Sequence, residues 1–366
     1  MRARPGNASA RPCYTPPVHV RAARATPIAL LSSLAAACGG GGPTGPGPGP
    51  TPTPGSPVSG FVFYDENANG TLEPNETMRL PGVTVAIGSA TAQTTQGGRF
   101  TVPSVPAGSP SAGLRADGLP AYFIPGAQVP VAVPQAAGTE VSLPATLPTS
   151  GNRPRFYMAF GDSITDGVGS NDFSGYRSYL SADLRSYWGS SHEVLNEGVS
   201  ATRSNRGESR MGTSLARTDP AYALILYGTN DWNDCRGEVP CYTIDSLRSI
   251  VLQARDFGTQ PVLGTIPPVN PEYLDRQPTE RNDWVRRMND EIKAMAAQER
   301  VAVADIHAAF LSRSSLPSLY WDFLHPNEMG YALVAQTWLQ ALTRPVGSAT
   351  TTRRGLFLGP GESSSF

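Results

Sequence analysis

Between residues 154 and 343 short apolar runs alternate with amphipathic stretches, and no other feature of this 366-residue chain narrows its fold as much. The runs are Arg155–Phe160, Glu193–Asn196, Ala221–Leu226, Pro261–Ile266 and Val301–Ile306. Between them lie Tyr176–Trp188, Thr243–Phe257 and Glu280–Glu299. Five strands interleaved with helices predict an α/β domain, a doubly wound parallel five-stranded sheet. Ligands of such a sheet bind at the C-terminal ends of its strands. The residues that end the strands are therefore where chemistry is expected.

Strand one ends in Phe160-Gly161-Asp162-Ser163-Ile164-Thr165-Asp166-Gly167. Strand two leads into Asn196-Glu197-Gly198-Val199-Ser200-Ala201, and strand three ends in Gly228-Thr229-Asn230-Asp231. Trp321-Asp322-Phe323-Leu324-His325-Pro326 stands just before the last helix. A serine nucleophile needs a base, and the base needs an orienting acceptor. Ser163 follows its strand through a Gly-Asp turn, which puts the hydroxyl at the sheet edge. Of the four histidines, His325 alone has an acid three residues before it. Asp322 can take one imidazole nitrogen and leave the other for Ser163. His19 lies in the basic N-terminal segment and His192 in a polar loop before strand two. His307 follows strand five and reads as half-buried and structural. Fixed donors must meet a developing oxyanion; the Ser163 backbone N–H and the Asn230 side-chain amide are candidates.

In this order and at these positions the four blocks resemble the SGNH hydrolases, also called GDSL-type esterases, over residues 154–343. The resemblance implies the flavodoxin-like SGNH fold and an ester hydrolase with an acyl-enzyme intermediate and no catalytic cofactor. Ser163 would be the nucleophile, His325 the base and Asp322 its orienter. The family's third oxyanion donor is a glycine N–H in a block written N-x-G-x-S-G. Aligned from Asn196, that position is Ala201, and Gly198 falls on the earlier one. An N–H survives this replacement, but a positive φ would strain Ala201 and lower activity. Asp162 and Asp231 are expected to brace the strand-end turns, with Asn196 and Gly198 as further supports; for the two acids a solvated turn carboxylate is the alternative. The absence of G-x-S-x-G excludes the α/β-hydrolase nucleophile elbow. The absence of H-E-x-x-H and of a glycine-rich phosphate loop excludes metalloprotease and nucleotide readings.

The N-terminal part differs in kind. Residues 1–37 read as a signal peptide: Arg2, Arg4, Arg11, Arg21 and Arg24 without an acid, then a short apolar stretch ending in small residues. Cys38 follows, resembling a bacterial lipobox in which that cysteine is acylated, although Ala35 stands where a branched residue is usual. An ordinary signal peptide is the other reading. Residues 38–57 form a Gly/Pro-rich linker, with 15 of residues 39–57 Gly or Pro, too poor in apolar groups to fold. Residues 148–153 are expected to be a second linker and residues 344–366 a disordered tail. Charged residues make up 16% of the chain and the net charge is −1. Without residues 1–37 the balance is 24 basic against 30 acidic residues, so nucleic acid is not an expected partner. The expected location is exported, lipid-anchored or secreted, with the membrane touched only through an anchor.

Residues 58–147 carry short Val/Thr/Phe runs split by Gly and Pro and predict a small all-β sandwich. Within it Asp65-Glu66-Asn67-Ala68-Asn69-Gly70-Thr71-Leu72-Glu73-Pro74-Asn75-Glu76 matches D-x-[DN]-x-[DN]-G-x₅-E. Asp65, Asn67, Asn69, the Thr71 carbonyl and Glu76 would form an oxygen shell for structural calcium. Pro74 and Pro81 exclude flanking helices, so an EF-hand is not expected. A turn rich in Asn and Gly without metal is the alternative. With its flanks, G-F-V-F-Y-D and T-x-x-G-x-F-T-V, the segment resembles the calcium-binding B-repeats of bacterial surface adhesins. Cys235 and Cys241 flank a five-residue loop, and export favours a disulfide between them. The expected substrate is an ester of acetylated carbohydrate or of lipid. Lipid esterase, lysophospholipase and thioesterase readings stay open, as does a non-enzymatic adhesion or glycan-binding protein with a decayed hydrolase domain.

Overall fold

The computed structural model describes residues 55–347. The signal segment, Cys38, most of the 38–57 linker and most of the tail lie outside the described residues.

Eight strands form the first region: β1 (Ser56–Tyr64), β2 (Thr84–Ile87), β3 (Ala90–Gln93), β4 (Arg99–Val105), β5 (Ser111–Leu114), β6 (Ile124–Pro125), β7 (Val129–Pro130) and β8 (Val141–Thr146). They make two four-stranded sheets, ordered β4-β1-β8-β6 and β3-β2-β5-β7. Alternation sets the inner face: Phe100 and Val102 of β4 are buried while Arg99 and Thr101 are exposed. The pair β1·β8 runs parallel, and every other pairing in the two sheets is antiparallel.

The second region follows with β9 (Arg153–Gly161), α1 (Ser163–Asp166), α2 (Tyr176–Trp188), β10 (Glu193–Gly198), α3 (Ser204–Thr218), β11 (Pro220–Leu226), α4 (Trp232–Cys235), α5 (Tyr242–Asp256), β12 (Gln260–Gly264), α6 (Pro278–Glu299), β13 (Ala302–Ala304), α7 (Ile306–Leu311) and α8 (Glu328–Thr343). Its sheet has the order β10-β9-β11-β12-β13, and all its pairings are parallel. This is the 2-1-3-4-5 order of flavodoxin-like sheets. One face is covered by α2, α7 and α8 through Leu180, Leu184, Phe310, Val334 and Trp338. The other is covered by α3, α5 and α6 through Met211, Leu215, Leu247, Ile250, Trp284 and Met288. Helix α3 escaped the sequence reading because its buried face includes Ser204, Gly207, Ser214 and Thr218. The Tyr227 ring lies where a Cβ on Gly207 would sit, 2.5 Å away.

The β region is packed against the α/β region rather than strung on a linker. Residues of both belong to one hydrophobic cluster, running from Val58 and Leu143 to Tyr157, Trp188 and Leu342. Residues 148–153 are docked: the Gln260 amide donates to the Pro148 carbonyl, and buried Asn152 donates to Pro220 O and Thr259 Oγ1. The seam also includes Tyr222 Oη donating to Ala121 O, Ala302 N–H donating to Tyr122 Oη, and Arg79 N–H donating to Trp188 O. Ala302 begins a strand, and Trp188 and Leu342 lie at helix C-termini. The β region therefore covers the N-terminal edge of the parallel sheet, opposite the edge that ends in Ser163.

Candidate active site

Three strand ends and the loop before α8 converge on Ser163. The nucleophile candidate is the first residue of α1, and its capping residue Asp162 accepts from Ile164 N–H at 3.0 Å. Ser163 Oγ lies 2.9 Å from His325 Nε2, a contact between residues 162 positions apart. His325 Nδ1 lies 2.8 Å from Asp322 Oδ2. The other Asp322 oxygen accepts the backbone N–H groups of Leu324 and His325, each at 2.7 Å. Burial by itself would raise the Asp322 carboxyl, but these hydrogen bonds from His325 and Leu324 outweigh it and hold the group below its ordinary value. Asp322 is thus kept ionised and aimed at the imidazole.

The candidate oxyanion donors come from three different strand-end turns and are not all free. Asn230 Nδ2 donates to Thr202 O at 3.0 Å and to Asp162 Oδ2 at 3.3 Å. Serving an oxyanion requires it to share or release one of these bonds. Ala201 adopts φ +61°, so the replacement of glycine sits in the left-handed region. The turn around it is held by Gly198 N–H to Asn196 Oδ1, Val199 N–H to Gly161 O and Thr202 N–H to Val199 O; none of these engages the Ala201 N–H. At Gly198 an added Cβ would come within 2.2 Å of Asp166 N, so no side chain fits.

The two flanking acids occupy buried positions. Asp162 is 1% exposed, and burial, with a contribution from Asp231, pushes its carboxyl up to about 7. Asp231 accepts Ser204 N–H and the hydroxyls of Ser204 and Thr243, tying the starts of α3 and α5 to the Asn230 turn. Neither acid is a solvated turn carboxylate in this structure. Cys235 and Cys241 are joined as a disulfide with Cα atoms 6.0 Å apart. The loop between them rests on α6, where Trp284 Nε1 donates to Glu238 O.

Sequence reading missed several residues that hold this site. Asp166 accepts from Asn196 Nδ2 and from Ser200 Oγ, joining the Ser163 helix to the second strand-end turn. Arg210 Nη2 donates to Gly161 O, Glu197 O and Tyr227 Oη. One guanidinium thereby links the ends of β9 and β10 with the residue after β11. Nothing in the local sequence SNRGESRMG distinguishes Arg210 from Arg206. His192 is not in an open polar loop. It is 4% exposed between Tyr157 Oη and Ser190 Oγ and against the Trp188 ring, and burial lowers its pKa to about 3. His307 is half-buried, as the sequence suggested.

The 65–76 loop, for which the sequence predicts calcium, lies apart from this site, at the seam. Asp65 and Glu76 are 2% and 1% exposed. Asp65 accepts the N–H groups of Asn69 and Gly70, and Glu76 those of Glu66 and Glu73. Asn67 and Asn69 turn their amide nitrogens to Glu73, a residue outside the predicted ligand set. Arg155 Nε, at the root of β9, lies 2.8 Å from Glu66 Oε1. Among the described residues no group of three or more His, Cys, Asp or Glu is placed to hold a metal ion.

Residues 159–333 match the family model of the GDSL-like lipase/acylhydrolase family. The α/β domain belongs to that family. This GDSL-like domain makes the chain an ester-bond hydrolase. An acetylxylan esterase of Geobacillus stearothermophilus is 26% identical over 212 residues, which cover 50% of this chain and 92% of that protein. Among solved structures, an acetyl xylan esterase from Geobacillus stearothermophilus is similar at 22% identity and a TM-score of 0.44, covering 54% of this chain and 99% of that one. A lipase/acylhydrolase from Enterococcus faecalis is similar at 19% identity and a TM-score of 0.43, covering 52% and 95%.

Proposed function

We propose that this GDSL-like domain is an exported serine esterase that removes small acyl groups, acetyl foremost, from extracellular carbohydrate. The observation that carries the catalytic assignment is the unbroken relay Ser163 Oγ–His325–Asp322 at the C-terminal edge of the sheet. His325 Nε2 takes the Ser163 proton as Oγ attacks the ester carbonyl, and Asp322 stabilises the imidazolium. The Ser163 and Ala201 N–H groups and the Asn230 amide hold the oxyanion, each such donor contributing about 3 kcal/mol. His325 then protonates the departing alcohol, and water hydrolyses the acyl-enzyme by the same steps reversed.

The carbohydrate substrate is favoured by the acetylxylan esterase relative, which aligns over nearly its whole length. Export, and acylation at Cys38, are favoured by the composition of residues 1–57. The complete relay favours an active enzyme over a decayed domain kept for adhesion. Ser163→Ala should fold normally and lose ester hydrolysis, and a fluorophosphonate should label Ser163 in the native chain. A p-nitrophenyl series from acetate to palmitate should fall steeply with chain length. A rise towards palmitate would replace carbohydrate deacetylation by lipid hydrolysis, and labelling of another serine would overturn the nucleophile.

For the 65–76 loop we propose structural calcium. Two buried carboxylates there have no basic side chain paired with them among the described residues, and burying uncompensated charge is costly. The donor set is all oxygen, which suits a hard cation. Asp65 and Glu76 would supply the carboxylates and Asn67, Asn69 and the Thr71 carbonyl the neutral ligands. The ion's role would be to stiffen the seam.

A further inference from the structure

Trp321 is an indole left 62% exposed directly beside the base. Its ring centroid lies 6.4 Å from that of His325, the planes inclined by 55°. The neighbouring aromatic of the same loop has partners: Phe323 meets Tyr273 at 6.0 Å and the Arg281 guanidinium at 5.3 Å. Trp321 has His325 alone among the described ring contacts.

The exposure is not slackness of the loop. Trp321 N–H donates to His325 O at 2.9 Å, and Tyr320 and Pro326 form a β-bridge that closes the turn. The root of the side chain is boxed in by Gly169, φ +97°, where an added Cβ would stand 3.2 Å from Trp321 Cβ and 3.1 Å from His325 Cβ. A rigid turn therefore presents a large apolar face to solvent next to the reacting atoms. Exposed aromatics in such positions are a common means of binding a ligand with one apolar face.

The chemistry of the relay says which part of the substrate meets that face. When the acyl-enzyme forms, the Ser163 Oγ–carbonyl bond forms and the bond from that carbon to the alcohol oxygen breaks. The proton taken from Ser163 passes from His325 Nε2 to that departing oxygen. The alcohol oxygen must therefore come within hydrogen-bond reach of Nε2. Whatever is bonded to it lies on the His325 side, whereas the acyl substituent is directed by Ser163 and the oxyanion donors.

We propose that Trp321 is a specificity-determining platform for the alcohol moiety of the ester, and that the face it receives is the C–H face of a pyranose ring. The pyranose part rests on the carbohydrate reading above; the assignment to the alcohol side rests on the relay alone.

The test compares three acetates that share an acyl group: ethyl acetate, phenyl acetate and a mono-O-acetylated methyl β-xylopyranoside. Trp321→Ala in the full chain should lower kcat/KM for the two ring-bearing acetates by on the order of 10-fold relative to ethyl acetate, mainly through KM. Trp321→Phe should restore most of it, and the preference among ethyl acetate, butyrate and hexanoate should not move. The melting temperature should stay within about 1 °C of wild type, because the ring is exposed. Equal loss on all three acetates would show that Trp321 only shapes the catalytic turn, and a shifted acyl preference would put it on the acyl side; either overturns the proposal. Selective loss on phenyl acetate from an enzyme that ignores the sugar acetate would keep the alcohol platform and overturn the pyranose, and with it the carbohydrate reading.

Discussion

Ala201→Gly is the most informative single change in this domain, because the strain at this position and its proposed role can be separated. At φ +61° the alanine methyl sits in the left-handed region, which costs a non-glycine residue roughly 1–2 kcal/mol. Glycine removes that cost, but its greater freedom in the unfolded chain offsets about 0.5–1 kcal/mol. The Ala201 side chain is exposed, so no packing is lost. The net expectation is a stabilisation of about 0.5–1 kcal/mol, equivalent to a rise in melting temperature of about 1–3 °C for a body of this size. The backbone N–H is retained, so kcat/KM on p-nitrophenyl acetate should hold or increase. Ala201→Val, which adds a β-branched side chain at the same φ, should lower both the melting temperature and the rate. Melting curves at fixed pH and calcium, with initial rates at 25 °C, decide the matter. A lower melting temperature for Ala201→Gly would refute the strained turn, and a large loss of rate would show that the methyl group itself contacts substrate.

Three further expectations follow from the rest of the molecule. Replacing Cys235 and Cys241 by serine should cost little stability, on the order of 2 kcal/mol for so short a loop, and should alter kcat/KM or acyl preference more than the melting temperature; two free thiols in the purified protein by mass spectrometry would remove the premise. Calcium should raise the melting temperature of the full chain and Asp65→Ala should abolish that rise, while a chelator should leave initial rates at 25 °C unchanged, since the loop lies at the sheet edge opposite Ser163. His192, held neutral by burial with a pKa lowered to about 3, takes up a proton more readily unfolded than folded. Its contribution is therefore complete above pH 6.5 and lost as pH falls towards 3, and His192→Gln should flatten that acid limb in a pH series of melting curves; an unchanged limb would refute the assignment.

Much of the site was legible in the chain because the relevant signals are local. Short apolar runs and the 3.6-residue period of amphipathic helices are set within a dozen positions, and the runs placed β9 to β13 within a few residues of their observed bounds. Asp322 and His325 are three positions apart, so one turn brings them together whatever the rest of the chain does. The Cys235–Cys241 spacing likewise restricts the pair to a small loop. The Asp162-Ser163 turn needs only the end of one strand and the start of one helix.

What needed the tertiary structure was every contact whose partners lie far apart in sequence. Ser163 meets His325 across 162 positions because the sheet order 2-1-3-4-5 brings β9 beside β11 and the last loop back over their ends. Arg210 is one of the 28 arginines in the sequence until the packing of α3 sets it on Gly161 O and Glu197 O. The sign of φ at Ala201 depends on how the second turn closes against Asp166 and Asn196. The docking of the β region on the N-terminal edge of the sheet left no periodic mark, since residues such as Tyr122, Trp188 and Leu342 carry the same apolar character whether they face their own core or a neighbour's. Side-chain periodicity records which face of an element is buried; which partner buries it is decided only when the elements pack.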